Sequence, residues 1–549
     1  MVNKLRIIPL GGMGEIGKNM TLFEYGRNML IVDCGSMFPE NDMWGIDLVI
    51  PDFAYLRSRA DLIRGLILTH GHEDHTGALP YLLREMSLPV YCSRLTRGLA
   101  EVKLAQEGVS DRATLNTIQD GDQLRLGPFE ATFFEVNHSI PDGMGLAIRT
   151  PVGTVVHSGD FKLDIGSEQE GAPDLAALAR LGGEGVLLLM ADSTGAERPG
   201  FTPPERIVED TFERIFAEAS GRIIIATFAS LLSRVQQVID VAVRHNRKVA
   251  VDGRSMVDNV AMAQEMGYLR IPPDTLVDIR KIDRLPPSRV AIIATGSQGE
   301  PQAALARMAT GIHRHIEIHP DDTIVLSAQA IPGNEEPVNR IINQLIQKGA
   351  DVIYDKLAPV HVSGHGSQED QKLLIRLLRP RFFLPIHGEP RHQHQHARLA
   401  HQSGIPWERI LVLNNGDMLE VDEESARVAD HIDQETIFVD GAVVGDVGPA
   451  VLRDREILAR DGFVVAMLAM DAASKAVRDV QVISRGFVYV RESEELIQRI
   501  RAEALRVAQE APPSSRTAER VQRALETFLL QETGRRPMVI VVSSTASVG

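Results

Sequence analysis

The sequence predicts an α/β protein: a layered, strand-rich sandwich, a parallel-sheet unit inserted into it, and a small α/β unit at the end. Three observations predict this. Short apolar runs separated by glycines fill roughly the first 195 residues. A strand–helix alternation takes over between roughly 200 and 355. A second, shorter alternation begins near 455. At 549 residues the chain exceeds what one core usually serves, and about two to four domains are expected.

Taken in order, residues 1–35 read as strands closed by glycine turns: "LRIIPLGG", "NMTLFEYG" and "NMLIVDCG". "RGLILTHGHEDHTGALPYLLREM" reads as a buried strand, a loop and a helix. "ATFFEVNHS", "GLAIRTPVGTVVHSGDF" and "GVLLLMADST" are further strands ending in polar loops. "TPPERIVEDTFERIFAEAS" opens the second region as a helix, with proline near its start and acidic residues early. "GRIIIATFAS", "LLSRVQQVIDVAVRHN" and "KVAVDG" continue it as strand, helix and strand, and "SRVAIIATGSQGEPQAALARMA" adds strand, glycine-rich loop and helix. "FFLPIHGEPRHQHQHARLAHQSG" returns to a strand, a loop and a helix. The last unit comprises "DGFVVAMLAMD", "VQVISRGFVYV", helices over 493–510 and 515–532 with a turn at 511–516, and "PMVIVVSS". The boundaries expected are 1–200, 201–358 for the insert, 359–440, a linker at 441–456, and 457–549.

Composition narrows the setting. No long uncharged apolar run is present, so no membrane helix is expected. The first twenty residues lack the apolar core and cleavage site of a secretory signal. Cys34 and Cys92 are the only cysteines; they exclude a disulfide framework and a Cys-rich zinc module and fit a reducing cytoplasm. A net charge of −16 argues against a nucleic-acid binder. Divalent ions would weaken that objection, because each places two positive charges where a phosphate would sit. Basic clusters at 244–248 and 379–398 weaken it further.

"THGHEDHTG" (69–77) packs His70, His72, Asp74 and His75 behind an apolar strand. Imidazole and carboxylate donors at this density suit zinc or manganese. His70 and His72 can reach one ion, Asp74 and His75 a second. Both sets are incomplete, and three residues at the ends of other expected strands can complete them: His138 in "FFEVNHS", Asp160 in "VVHSGDF" and His387 in "FFLPIHGEP". Asp160 has two oxygens and could bridge. One ion would then see His70, His72, His138 and Asp160; the other Asp74, His75, Asp160 and His387. Asp33 in "NMLIVDCG" is the candidate to orient a ligand from behind. Read alone, His138 or His387 would be an ordinary core or surface histidine.

These motifs resemble the ligand motifs of the metallo-β-lactamase superfamily, whose hydrolytic members use an αββα sandwich and usually two metals. Well over two hundred residues separate Asp160 from His387, too many for a loop. An insert there resembles the β-CASP nucleases of that superfamily. Asp192 in "LLLMADSTG", His365 in "VHVSGHGSQED" and His387 match their additional motifs. "IIPLGGMGEIGKNM", "TGSQGEP", "GHGSQED", "FFLPIHGEPRH" and "SRGFVYV" are similar to the bacterial ribonuclease J family over nearly the whole chain. The resemblance implies a metal-dependent 5′→3′ exoribonuclease preferring 5′-monophosphorylated single-stranded RNA, with endoribonuclease activity, acting in RNA processing and mRNA decay. It also implies a homodimer, or a tetramer, within a larger RNA-degrading assembly.

The chemistry expected is in-line attack of an activated hydroxide on the phosphodiester, assisted by two divalent ions, zinc first and manganese the alternative. His365 is the candidate to stabilise the phosphate or protonate the leaving oxygen, and Asp192 to position a neighbouring histidine. Ser363, Gly364, His365, Gly366 and Ser367 offer backbone N–H groups and hydroxyls as a cradle for a 5′-phosphate, with Ser230 joining from the insert. Of Phe38, Trp44 and Phe53, one could stack a base, while at least two are expected to pack. "GGMGEIG" (11–17) lacks the lysine and context of a phosphate loop and reads as a tight turn below the metals. The rivals are a DNA-directed β-CASP nuclease and a small-molecule metallo-hydrolase.

Overall fold

The computed structural model describes residues 4–40, 43–164, 173–331, 333–441, 443–471, 476–487, 494–510 and 516–544. The chain divides into two compact units, one of Met1–Phe38 with Val49–Ile437, the other of Pro39–Leu48 with Phe438–Gly549.

The larger unit contains the sandwich. Its first sheet has eight strands in the order Ala426–His431, Asp417–Val421, Leu5–Gly11, Met20–Tyr25, Asn28–Val32, Ile63–Ile67, Pro89–Cys92 and Thr114–Thr117. The second has six: Phe382–Ile386, Leu188–Asp192, Gly153–His157, Gly143–Thr150, Phe129–Val136 and Gln123–Leu126. Side chains alternate across these strands. Leu188, Met190, Leu384 and Ile386 face inward and share one core with Ile7, Phe23, Leu30 and Ile67 of the first sheet. Leu189, Ala191 and Phe383 face outward onto helices, against Leu178, Leu374, Ile375 and Ala400. The result is the expected helix–sheet–sheet–helix layering.

Between Leu188–Asp192 and Phe382–Ile386 the chain builds a third sheet, five parallel strands ordered Lys248–Asp252, Val290–Ala294, Ile223–Ala226, Thr323–Leu326 and Asp351–Ile353. Its strands are apolar on both faces because helices cover both. Ile223, Ile225 and Ile293 pack on Phe212, Val235 and Val260. Ile224, Ile292 and Ile324 pack on Leu305, Met308 and Leu345. Leu95, Leu99 and Ile140 of the sandwich join the first of these clusters, so the insert shares its core with the unit that carries it.

In the second unit, Phe463–Met470 pairs antiparallel with Val477–Arg485 and parallel with Met538–Ser544. Helices Glu494–Gln509 and Thr517–Thr533 close one face of that sheet through Ile500, Ala504, Val521 and Leu525. The stretch 441–456 holds the short strand Val443–Val444 and the start of helix Pro449–Asp461. The turn expected at 511–516 lies outside the described residues, Arg516 excepted. Among the described residues no helix is long and apolar enough to cross a membrane.

Candidate metal centre

Every distant candidate ligand sits at or just past the carboxyl end of a strand. Gly153–His157, Leu188–Asp192 and Phe382–Ile386 are parallel neighbours, with His157 opposite Met190 and Asp192 opposite Ile386. Their ends therefore lie side by side and deliver Asp160, Asp192 and His387 to one edge. Strand Phe129–Val136 brings His138 to the same edge, and Ile63–Ile67 of the facing sheet brings His70. After His70 the chain turns through His72 into the short helix Glu73–Thr76, which holds Asp74 and His75. The loop after Asn28–Val32 lies flat on this helix: Cys34 N–H donates to the His75 carbonyl at 2.9 Å. A side chain at Gly35 would meet the Asp74 carbonyl at 1.6 Å, so only glycine fits there.

Two clusters hold the candidate ligands: the nitrogens of His70, His72 and His138 form one, and donor atoms of Asp74, His75, Asp160 and His387 the other. A third group overlaps the second, joining Asp160 and His387 to Asp192 and His365. His70 Nε2 and His138 Nε2 each lie 3.1 Å from His72 Nδ1. Asp160 stands between the clusters: Oδ2 is 3.2 Å from His75 Nε2, 3.8 Å from His70 Nε2 and 3.9 Å from His138 Nε2, while Oδ1 is 3.0 Å from His387 Nδ1. Asp74 Oδ2 is 3.3 Å from His387 Nε2.

Hydrogen bonds behind the rings assign their tautomers, because a carboxylate or carbonyl only accepts. His138 Nδ1 donates to the Gly364 carbonyl at 2.7 Å. His75 Nδ1 donates to Asp33 Oδ2 at 2.8 Å. Thr69 Oγ1 donates to Asp33 Oδ2 at 2.9 Å and accepts from His70 Nδ1 at 3.1 Å. Each ring thus turns Nε2 inward, those of His70 and His138 onto His72 Nδ1 and that of His75 onto Asp160 Oδ2. Imidazole nitrogens and carboxylate oxygens that converge in this way, each ring held from behind, are the donors divalent metal ions take, so the residues fit such ions.

Electrostatics divide the histidines into two groups. Burial, then the neighbouring His75, pushes His70 well below the usual histidine range; burial, then His72, does the same to His138; burial brings His72 down to about 4. At His75 and His387 burial also opposes the charge, but the surrounding carboxylates, Asp160 foremost, overcome it and raise both. The Asp160 carboxyl lies well below its usual range because His387 and His75 outweigh its burial. Two site residues have left-handed backbone, Asp33 at φ 64° and His387 at φ 49°, a strain of about 1–3 kcal/mol each that the packing imposes.

Asp192 Oδ2 accepts from His365 Nδ1 at 2.8 Å. The His365 ring is 19% exposed, where the side chains of His70, His75, His138 and His387 are 1–2% exposed. The cradle expectation needs correction. The N–H groups of His365, Gly366 and Ser367 are already engaged, by Ser363 Oγ, the Phe161 carbonyl, and Thr202 with Asp370 respectively. Gly364 is glycine because a side chain would strike the His138 ring at 2.5 Å. Ser367 is buried and caps helix Gln368–Leu378. Ser230 sits on the loop after Ile223–Ala226, and no hydrogen bond ties its hydroxyl to the ligands among the described residues. Phe53 is buried, but Phe38 and Trp44 are exposed, so one aromatic packs rather than two. The 11–17 turn is held by Met13 N–H on Asn415 and by Gly388 N–H on the Glu15 carbonyl, and it walls the centre beside His387.

The sequence reading missed several supports. Thr69 joins Asp33 to His70. Asn19 contacts His75 Nε2 and the Asp74 carbonyl. Buried His157 accepts from Gly159 N–H and shapes the turn into Asp160. Their types are common and their partners far away in sequence, so only the spacing of His157 beside Asp160 offered a signal.

Domain models match along the chain in order: the metallo-β-lactamase superfamily at 13–204, the ribonuclease J β-CASP domain at 220–345, the Zn-dependent metallo-hydrolase RNA specificity domain at 351–411, and the ribonuclease J C-terminal domain at 450–546. A solved structure of a protein of unknown function from Enterococcus faecalis V583 shares the fold, with a TM-score of 0.53 at 15% identity, covering 76% of this chain and 100% of that one. Ribonuclease J 1 of Streptococcus pyogenes serotype M3 is 42% identical over 98% of this chain and 97% of its own length. Ribonuclease J of Thermus thermophilus is 43% identical over 98% and 95%. Ribonuclease J2 of Bacillus subtilis is 40% identical over 98% of both chains. Identity of this order across both units and the whole centre leaves one conclusion: the chain belongs to the ribonuclease J family of metal-dependent ribonucleases.

Proposed function

We propose that this chain is a 5′→3′ exoribonuclease preferring 5′-monophosphorylated RNA, with endonucleolytic cleavage as a second activity. In this reading one divalent ion is held by His70, His72, His138 and Asp160 and a second by Asp74, His75, Asp160 and His387. Zinc suits these donors first, with manganese the alternative. When bound, the ions supply Lewis acidity, polarising phosphoryl oxygens and making water a nucleophile near neutral pH. The observation that carries the reading is the position of Asp160, whose two oxygens face donors of both clusters.

The rest falls to the chain's own residues. Asp33 holds the His70 and His75 rings, so their lone pairs point inward without rearrangement. Asp192 keeps the His365 Nδ1 proton and turns Nε2 away from the carboxylate. His365, whose ring is 19% exposed, is reachable from solvent and would donate a proton to the departing 3′-oxygen, an effect of about 10²–10⁴ in rate. With three amides of the 363–367 loop engaged, a 5′-phosphate would be met by the Ser363 and Ser230 hydroxyls rather than by a backbone nest.

Self-association as a homodimer, or a tetramer, belongs to the same reading. It is supported by the outer face of the C-terminal sheet, where Ile483, Ile540 and Val542 are exposed. Metal analysis of the purified protein, joined to cleavage of RNAs differing only in a 5′-mono- or triphosphate, tests the whole. The expected result is about two equivalents of zinc or manganese per chain and stepwise release of mononucleotides from the monophosphate substrate. Equal cleavage of both substrates would remove the 5′-end preference.

A further inference from the structure

Among the described residues Arg234 is the largest fully buried side chain. It stands in the insert, on helix Leu232–Arg244. Its guanidinium donates to the Val360 carbonyl at 2.7 Å, to the Ser327 hydroxyl, and to Glu205 Oε2 at 2.8 Å. Glu205 occupies the cap position of helix Arg206–Glu218, yet its side chain does not cap that helix. It turns away to accept a second cation: Lys162 Nζ donates to Oε1 at 2.7 Å. Lys162 is 2% exposed and lies two residues past Asp160.

The segment that bears Lys162 meets the other ligand loops. Lys162 N–H donates to the carbonyl of Asn137, the residue before His138, at 2.8 Å. The Phe161 carbonyl accepts from Gly366 N–H, next to His365, at 2.6 Å. The insert also grips the His138 loop directly. Ser233 Oγ donates to the Ser139 carbonyl at 3.0 Å, and the Tyr268 hydroxyl donates to Asp142. The loops carrying Asp160, His138 and His365 are therefore tied to one another and to the insert, the Asp160 loop through the Glu205 carboxylate.

Resting on the metal-centre reading above, we propose that Glu205 is a positioning residue: bound by Lys162 on one side and Arg234 on the other, it sets the Asp160 loop from the seat of the inserted sheet. Seating of the insert and retention of the ions are then coupled, and the coupling acts in both directions. Second-sphere supports of this kind typically change metal affinity or activity by about 10–100-fold when removed.

The test uses the full-length metal-loaded protein and three variants. Glu205→Gln keeps size and removes charge. Asp322→Asn breaks a comparably buried pair with Arg222, at 2.6 and 2.8 Å, that lies wholly within the insert. Asp160→Ala removes the proposed ligand itself. Three quantities are measured: ion release to a chelator, thermal midpoint without metal, and kcat and KM on 5′-monophosphorylated RNA. The expected result is that Glu205→Gln releases ions about 10–100-fold faster and loses kcat by a similar factor with KM little changed. Asp322→Asn should lower the thermal midpoint at least as much without faster release. If Glu205→Gln merely melts earlier, with wild-type release and kcat, Glu205 is structural and the proposal is overturned. If Asp160→Ala also keeps its ions, the metal-centre reading fails too, which separates the two failures.

Discussion

In the inserted sheet, Ile223, Ile225 and Ile293 on one face and Ile224, Ile292 and Ile324 on the other are completely buried. The ion pair sunk at its amino-terminal edge, Arg222 with Asp322, is closed by two hydrogen bonds. At the carboxyl edge of the sandwich, Asp33, Asp160, Asp192, His70, His75 and His387 are buried just as deeply, but there imidazole nitrogens crowd against one another and against a carboxylate. The Arg222–Asp322 pair is closed by its own side chains. The centre gathers donors that suit cations, and it holds Asp33 and His387 in strained backbone to keep that arrangement. Stability and chemistry are thus drawn from different places in one chain, and substitutions should separate them.

The sharpest separation comes from His72→Ala or Asp74→Ala, which should take cleavage to background while RNA still binds; a gel-shift titration beside a cleavage assay checks both. Next in size, His365→Ala should lower kcat by about 10²–10⁴ and leave metal content unchanged, as read by elemental analysis. On the other side of the comparison, Ile293→Ala should cost about 2–5 kcal/mol of stability without loss of ions, measured by denaturant unfolding. An Ile293→Ala protein that emptied its centre would break the distinction. A smaller effect concerns pH. Burial would raise the Glu205 carboxyl, but Lys162 and Arg234 outweigh it and bring it from an ordinary 4.5 down to about 2. A depressed carboxylate stabilises fully above the unfolded value, and the contribution drains as pH falls towards 2. Wild type should therefore lose up to about 3 kcal/mol between pH 5 and 2 that Glu205→Gln does not lose, seen as a shallower acid limb in urea melts. Smallest of all, Asp33→Asn should weaken metal retention or activity about 10–100-fold, since it disturbs the His75 and Thr69 contacts while keeping every ligand.

Much of the site was legible because a strand end can present consecutive donors. His70, His72, Asp74 and His75 lie within six positions, and that density has no ordinary structural use. His138, Asp160, Asp192, His365 and His387 became legible through motifs that end apolar strands. The phosphate cradle was misread because glycines suggest free amides. Here Gly364 instead makes room for His138, and Gly366 spends its N–H on Phe161. Thr69, Asn19 and Lys162 carried no signal, since a threonine, an asparagine or a lysine beside a ligand is ordinary until its partner is known.

Alone, the order of residues determined the layered architecture, the insert between Asp160 and His387, and the candidate donor set, because apolar periodicity and donor density are local properties of the chain. Tertiary structure decided which nitrogen of each ring faces inward, which amides are free, and how Glu205 joins the insert to the ligand loops. Those depend on partners as far apart as His138 and Gly364 or Lys162 and Arg234, and a hydrogen bond has direction only once both ends are in place.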